Sequence, residues 1–281
     1  MKPGQGSHTA VLVCMGRAIA HGAPGVGRFS DPTALALLPD AARAKVEHYR
    51  AETKVRGFRA RLRRTILLRR SQMMVVRTVA IDDALRAARA PQVVILGAGL
   101  DGRAWRLPEL ADSVVFEVDH PDSQREKRAR VGALRQTARE VRFVPVDFTR
   151  DRLDTALEAA GHDPARPTFW IWEGVVMYLT EADIAATLGV LRQRSAAESR
   201  LVVAYFCPAL MVKLIGFAVA RMGEPLRSTF KPEAWRALLA QHGFRVLDDR
   251  NLSELTNGFG ADVERATRRM RHLRISVAEA V

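Results

Sequence analysis

Cysteine is scarce: Cys14 and Cys207 are the only two in 281 residues, far apart and each in apolar surroundings. A disulfide framework needs more of them, and a metal site needs ligands closer together, so no metal is expected and a reduced, cytoplasmic chain is the simple reading. Long apolar runs are also missing. The greasiest window, Pro208 to Ala220, is 13 residues long and holds Lys213, whereas a membrane span needs about 20. It reads as a buried helix or a lid over an apolar cavity. The apolar stretch Ala10 to Gly16 is cut by Arg17 and is too short for a signal-peptide core. Lysine is rare too, at only six of 44 basic residues. No internal repeat, zinc-finger spacing, aromatic-basic RNP motif or GXXG clamp is present, which leaves nucleic acid without a reading element.

What is there is an ordinary globular composition, 48% hydrophobic and 27% charged, long enough for one large domain. The net charge is +13. Its densest run, Arg56 to Arg70, spaces Phe58, Leu62 and Ile66 at i, i+4 and i+8 with the arginines mostly off that stripe, as in an amphipathic surface helix. A second cluster spans Arg265 to Arg274. Two uses stay open, a polyanion-binding surface and ordinary solvated helix faces in an arginine-biased chain.

Residues 1–90 read as a helical cap. Ser30 stands as an N-cap before Pro32, one helix runs through Val46 to Arg70, and a further helix carries Val76, Val79, Ala80 and Ala84 on one stripe. After Pro91 strands alternate with helices: Gln92–Leu96, Ser113–Val118, Val141–Val146, Thr168–Ile171 and Arg200–Phe206, with a helix Glu181–Arg194 capped by Thr180. A helix over Lys231–His242, the strand "GFRVLDD" and a terminal edge strand in "HLRISVAEAV" complete the pattern. The expectation is an α/β fold, a doubly wound, seven-stranded, mostly parallel sheet behind the cap. It is read as one domain: cap 1–90, cofactor-binding core 91–207, lid segment and last strands 208–281.

In such a sheet ligands lie at the carboxyl ends of the strands. Strand 1 ends in Gly97-Ala98-Gly99, which with Gly102 spells G-x-G-x-x-G, the dinucleotide fingerprint. Strand 2 ends in Glu117-Val118-Asp119. Both carboxylates face the same way, and Asp119 has the better reach to ribose hydroxyls. Strand 3 ends in Asp147, an acceptor for an adenine amino group, and Phe148, a face for its ring. Strand 4 ends at Glu173. NAD needs only the first two ends. S-adenosylmethionine uses all four, with Glu173 or the Gly97 carbonyl for its ammonium and Arg77 for its carboxylate, so it is the expected cofactor.

These stretches resemble the leucine carboxyl methyltransferase superfamily of S-adenosylmethionine-dependent O-methyltransferases. The likeness runs through "FSDPTALALLP", "VVRTVAIDDAL", "VVILGAGLDGRAWRL", "VVFEVDHPDSQREKR", "FVPVDFTRD", "FWIWEGVVMYLTEADI" and "RISVAEA". It implies a class I methyltransferase fold, cofactor contacts from Arg77, Gly97, Asp119, Asp147, Phe148 and Glu173, and a small, largely apolar acceptor bearing a carboxyl or hydroxyl. Gly102 stands where the family usually has Thr, and Phe148 where it has Leu. Arg17 matches a commonly basic position only loosely and is left out of the site.

A carboxylate acceptor is ionised at neutral pH and needs no base, whereas a phenol or alcohol does. His120, His162, Tyr178 and Tyr205 are the titratable candidates. Tyr205 is the acceptor-side choice, and no catalytic base is named. The acceptor pocket is expected between the cap and Pro208–Met222, with Asn257–Gly260 as a flap. A nucleic-acid methyltransferase and a non-catalytic cofactor-binding protein remain the alternatives, the first without its "NPPY"-type motif.

Overall fold

The computed structural model describes residues 7–23, 25–52, 57–148, 150–212, 216, 220 and 225–281. Seven strands form one sheet: β1 Gln92–Leu96, β2 Val114–Asp119, β3 Glu140–Pro145, β4 Thr168–Trp172, β5 Arg200–Phe206, β6 Phe244–Asn251 and β7 Leu273–Ala280. Their order is β3-β2-β1-β4-β5-β7-β6. β1 to β5 run parallel, and β7 pairs antiparallel with both β5 and β6. β7 therefore sits inside the sheet and β6 takes the edge, which corrects the expected terminal edge strand.

The helices are α1 His8–Ala20, α2 Ala34–Leu37, α3 Asp40–Ala51, α4 Phe58–Ala88, α5 Arg103–Arg106, α6 Pro121–Val131, α7 Leu153–Ala159, α8 Glu181–Gln193, α9 Pro232–Gln241 and α10 Ala261–Thr267. Among the described residues no helix is long and apolar enough to cross a membrane. Alternation along the strands sorts the core into two layers. Val93, Ile95, Phe169, Ile171, Val202 and Ala204 face the cap and pack with Val75, Val76 and Val79 of α4. Val94, Leu96, Trp170, Trp172, Val203 and Tyr205 face the other way, against Ile184, Leu188, Trp235 and Leu239. Each fully buried large apolar side chain contributes about 1.5–3 kcal/mol, so both layers are needed to hold the central strands.

Three readings of the cap are corrected. The arginine-rich and valine-rich runs form a single 31-residue helix, α4. No proline or glycine separates them, so nothing breaks the hydrogen-bond ladder. Asp31, not Ser30, caps the turn into α2: its Oδ1 accepts from Thr33 N at 3.1 Å, Ala34 N at 3.0 Å and Thr33 Oγ1 at 2.7 Å. The Phe58, Leu62 and Ile66 stripe points into solvent. The body-facing positions of that first half are the half-buried Ala60, Arg64 and Leu67.

The lid read over Pro208–Met222 falls largely outside the described residues. Asn257–Gly260, read as a flap, is tied to the cap: Arg28 Nη1 donates to Asn257 O at 3.0 Å and Gly260 N to Gly25 O at 3.0 Å.

Candidate functional site

Register sets the site. Leu96 of β1 lies level with Val118 of β2 and Trp172 of β4, and Asp119 lies level with Pro145 of β3. The next residues of β1, β2 and β4, namely Gly97, Asp119 and Glu173, therefore emerge along one rim, and Asp147 follows two residues past the end of β3. The crossover between β1 and β4, where the chain changes direction across the sheet, opens the crevice there.

Gly97 and Gly99 both have positive φ, +67° and +48°. A Cβ on Gly97 would overlap Val175, and one on Gly99 would stand 3.0 Å from Ala10 Cβ of α1. The loop thus lets α1 lie directly over it. Asp119 holds the loop from below, accepting from Gly99 N through Oδ2 and from His120 N through Oδ1 at 2.6 Å. Burial pushes the Asp119 carboxyl up against these two donors. Glu117 points to the same side but is spent on Lys127 Nζ, 2.6 Å from Oε2 and 2.7 Å from Oε1, both side chains fully buried. Burial raises its pKa to about 7 against the pull of that ammonium.

Arg77 and Glu173 meet: Arg77 Nε lies 2.6 Å from Glu173 Oε1. They belong to a larger buried set that the linear sequence does not reveal. Arg103, fully buried, donates to Glu173 Oε2 at 2.9 Å, to Asp82 Oδ1 at 2.7 Å and to Asp101. Arg106 Nη2 reaches Asp82 Oδ2 at 2.8 Å, and Arg106 Nε lies 3.7 Å from Asp31 Oδ2. Arg17 Nε lies 3.1 Å from the same Asp31 oxygen, and its Nη2 donates to Leu100 O. Four guanidiniums face four carboxylates. For Asp101 and Glu173 burial opposes the charge, but Arg103, with Arg17 or Arg77, outweighs it and holds both carboxyls below the usual range. Arg17, discounted on the sequence, thus pins the cap to the glycine loop. The available signal was charge in otherwise apolar stretches, Asp82 on the inner side of α4 and Asp101 and Arg103 beside the glycines.

At the β3 end Phe148 is 45% exposed. Asp147 Oδ2 lies 4.0 Å from His120 Nε2, and the His120 ring caps α6 by accepting from Asp122 N at 3.2 Å. Tyr178 is half-buried in the 3-10 turn Val176–Tyr178 beyond β4.

Two sequence candidates lie elsewhere. Tyr205 faces the layer away from the cap, stacked on Trp235 at 4.9 Å, with its hydroxyl donating to Asp249 Oδ2 at 2.8 Å. Burial and Asp249 both raise its pKa. The structure sets it apart from the rim because alternation along β5 sends position 205 to the other face. His162 is 3.0 Å from Thr168 Oγ1, the first residue of β4, so it lies at the opposite edge of the sheet from the rim.

Gly102 has an ordinary φ of −109°, and a Cβ there would overlap the Thr33 hydroxyl. Its glycine reflects packing against the turn before α2, not approach to a ligand. Among the described residues no group of three or more His, Cys, Asp or Glu is placed to hold a metal.

Residues 10–192 match the model of the leucine carboxyl methyltransferase family. A Streptomyces coelicolor protein is 34% identical over 176 residues, 62% of each chain. A Mycolicibacterium smegmatis protein is 42% identical over 184 residues, 63% of this chain and 56% of its own. Both carry S-adenosyl-L-methionine-dependent methyltransferase as a provisional name. The chain spans about six-tenths of the length of these curated relatives. Among solved structures, a DUF574-family protein of Streptomyces avermitilis superposes with a TM-score of 0.61 at 14% identity over 98% of both chains. A Thermobifida fusca protein provisionally named a methyltransferase gives 0.60 at 12% identity, over 99% of this chain and 96% of its own. At these identities the likeness is one of fold, the class I methyltransferase fold expected from the sequence.

Proposed function

Because this chain belongs to the leucine carboxyl methyltransferase family, we propose that it is an S-adenosylmethionine-dependent O-methyltransferase. The acceptor we assign is a carboxylate or hydroxyl of a small, largely apolar molecule. The observation that carries the reading is the single rim on which register brings Gly97, Asp119 and Glu173 level, with Asp147 two residues past the end of β3.

The residues present fit the cofactor. Its amino-acid tail is a zwitterion, and the buried Arg77–Glu173 pair offers the complementary charges side by side. Each carboxylate oxygen keeps a second lone pair, so Glu173 can accept an ammonium while bonded to Arg77 and Arg103, and Asp119 can accept ribose hydroxyls while holding the loop. Asp147 takes the adenine amino group, and the exposed Phe148 ring covers its face. The cofactor supplies, when bound, an electrophilic methyl group on a sulfonium.

The chain's own work is alignment and exclusion of water. α1 over Gly99 and the cap against the rim do both, and orientation of this kind is worth roughly 7–11 kcal/mol. A carboxylate acceptor, with a pKa of about 4, arrives ionised. For that acceptor no general base is needed, and none is assigned.

Calorimetry tests the cofactor: S-adenosylhomocysteine should bind more tightly than NADH, and the reverse order would refute the reading. Isotope-labelled donor incubated with a bacterial extract, followed by mass spectrometry, identifies the product. With that acceptor, a single-turnover rate that is flat over roughly pH 6–9 marks a carboxylate. A steep rise marks a hydroxyl, where base assistance is worth about 10²–10⁴-fold.

A further inference from the structure

We propose that the first half of α4, residues 58–70, docks on an anionic phospholipid membrane. In this half the apolar stripe faces water: Phe58 is 80% exposed, Leu62 49% and Ile66 44%. At 100° per residue these three span an arc of about 80°. Arg59, Arg63 and Arg70, all exposed, fall along one flank of that arc, and Arg61 lies on the other. Between Glu52 and Asp82 the sequence contains no acidic residue.

An aromatic and aliphatic stripe bordered by guanidiniums on a helix lying along the surface is the pattern that seats in the headgroup layer, with apolar side chains in the acyl boundary and cations on the lipid phosphates. Charge decides between occupants. A second copy of this chain docked through the same patch would bring two arginine rows together with no carboxylate between them. Nucleic acid would use the arginines and leave three exposed apolar side chains without a role. Only an anionic bilayer matches both features. The proposal does not depend on the methyltransferase reading.

The test is co-sedimentation of the full chain with vesicles of phosphatidylcholine, alone or with roughly 30% phosphatidylglycerol, at about 0.15 M salt. Binding is expected to the anionic vesicles only. It should weaken about tenfold or more in Phe58→Ser/Leu62→Ser/Ile66→Ser and also in Arg59→Gln/Arg63→Gln/Arg70→Gln. Circular dichroism confirms that the variants fold, and being exposed they should. Failure to bind, equal binding to neutral vesicles, or loss in the arginine variant alone overturns the proposal. So does tighter binding to a single-stranded RNA that the serine variant retains, or a dimer in sedimentation analysis that the serine variant abolishes.

Discussion

Asp119 has two duties at one carboxylate. It accepts from the backbone of Gly99 and His120, and in the proposed function it also accepts from ribose. Asp119→Ala should weaken S-adenosylhomocysteine binding by about 1.5–3 kcal/mol in calorimetry, the range for hydrogen bonds to a charged acceptor. The chain should stay folded by circular dichroism, because the residue ends a strand and lies outside both apolar layers. Wild-type affinity in the variant would leave Asp119 as a loop brace only. Gly102 makes a sharper packing claim. Gly102→Ala places a methyl group on the Thr33 hydroxyl and should cost about 1–3 kcal/mol of stability through overpacking. Combining it with Thr33→Ala should recover part of that loss. Strict additivity in urea unfolding of the two single variants and the double would show that the residues do not touch.

At the scale of elements, what could be read in advance depended on whether the signal was local. β1 and β5 are apolar runs closed by Pro or Gly, and their bounds are legible residue by residue. α8 is announced by Thr180 and Asp183, which form a reciprocal capping box. Thr180→Ala should lower stability by about 1 kcal/mol in thermal or urea unfolding. An unchanged midpoint would show that the box adds nothing to the fold. α4 was harder, because its halves have different surroundings and only the second is packed on the sheet. The place of β7 between β5 and β6 was not legible at all, since alternation tells which side chains point inward and not which strands are neighbours. The site divides in the same way. Gly97, Asp119 and Glu173 stand at strand ends and can be picked out singly. The pairing of Arg103 with Asp82 and Glu173 exists only once α4, the glycine loop and β4 have converged.

For the molecule as a whole, pH gives a handle on the buried His162. Burial and the neighbouring Arg194 lower the His162 pKa to about 4. Above about pH 7.5 the ring is neutral in both folded and unfolded chains. As pH falls from there towards 4, the unfolded chain binds a proton that the folded chain refuses, so this residue's contribution drops by up to about 3 kcal/mol. Glu117 acts in the opposite sense. Its raised pKa lets the folded chain take a proton first between about pH 7 and 4.5, which offsets the loss. The clean measurement is therefore a difference: the stability of wild type minus that of His162→Gln should fall from pH 7 to pH 4. A constant difference would show that the ring titrates normally.

The eight charges that join the cap, α4, the glycine loop and β4 make these residues an epistatic group in the genetic sense. Losing one member leaves a buried charge unmatched, at about 3–5 kcal/mol, a large share of a typical folding free energy of about 5–15 kcal/mol. Lineages that drift at one of these positions must change a partner in the same step or keep both. In the proposed function, residues that meet only the acceptor are under no such constraint. Selection for new acceptors in a mutant library should therefore gather substitutions outside this set and leave Arg17, Asp31, Asp82, Asp101, Arg103 and Arg106 untouched.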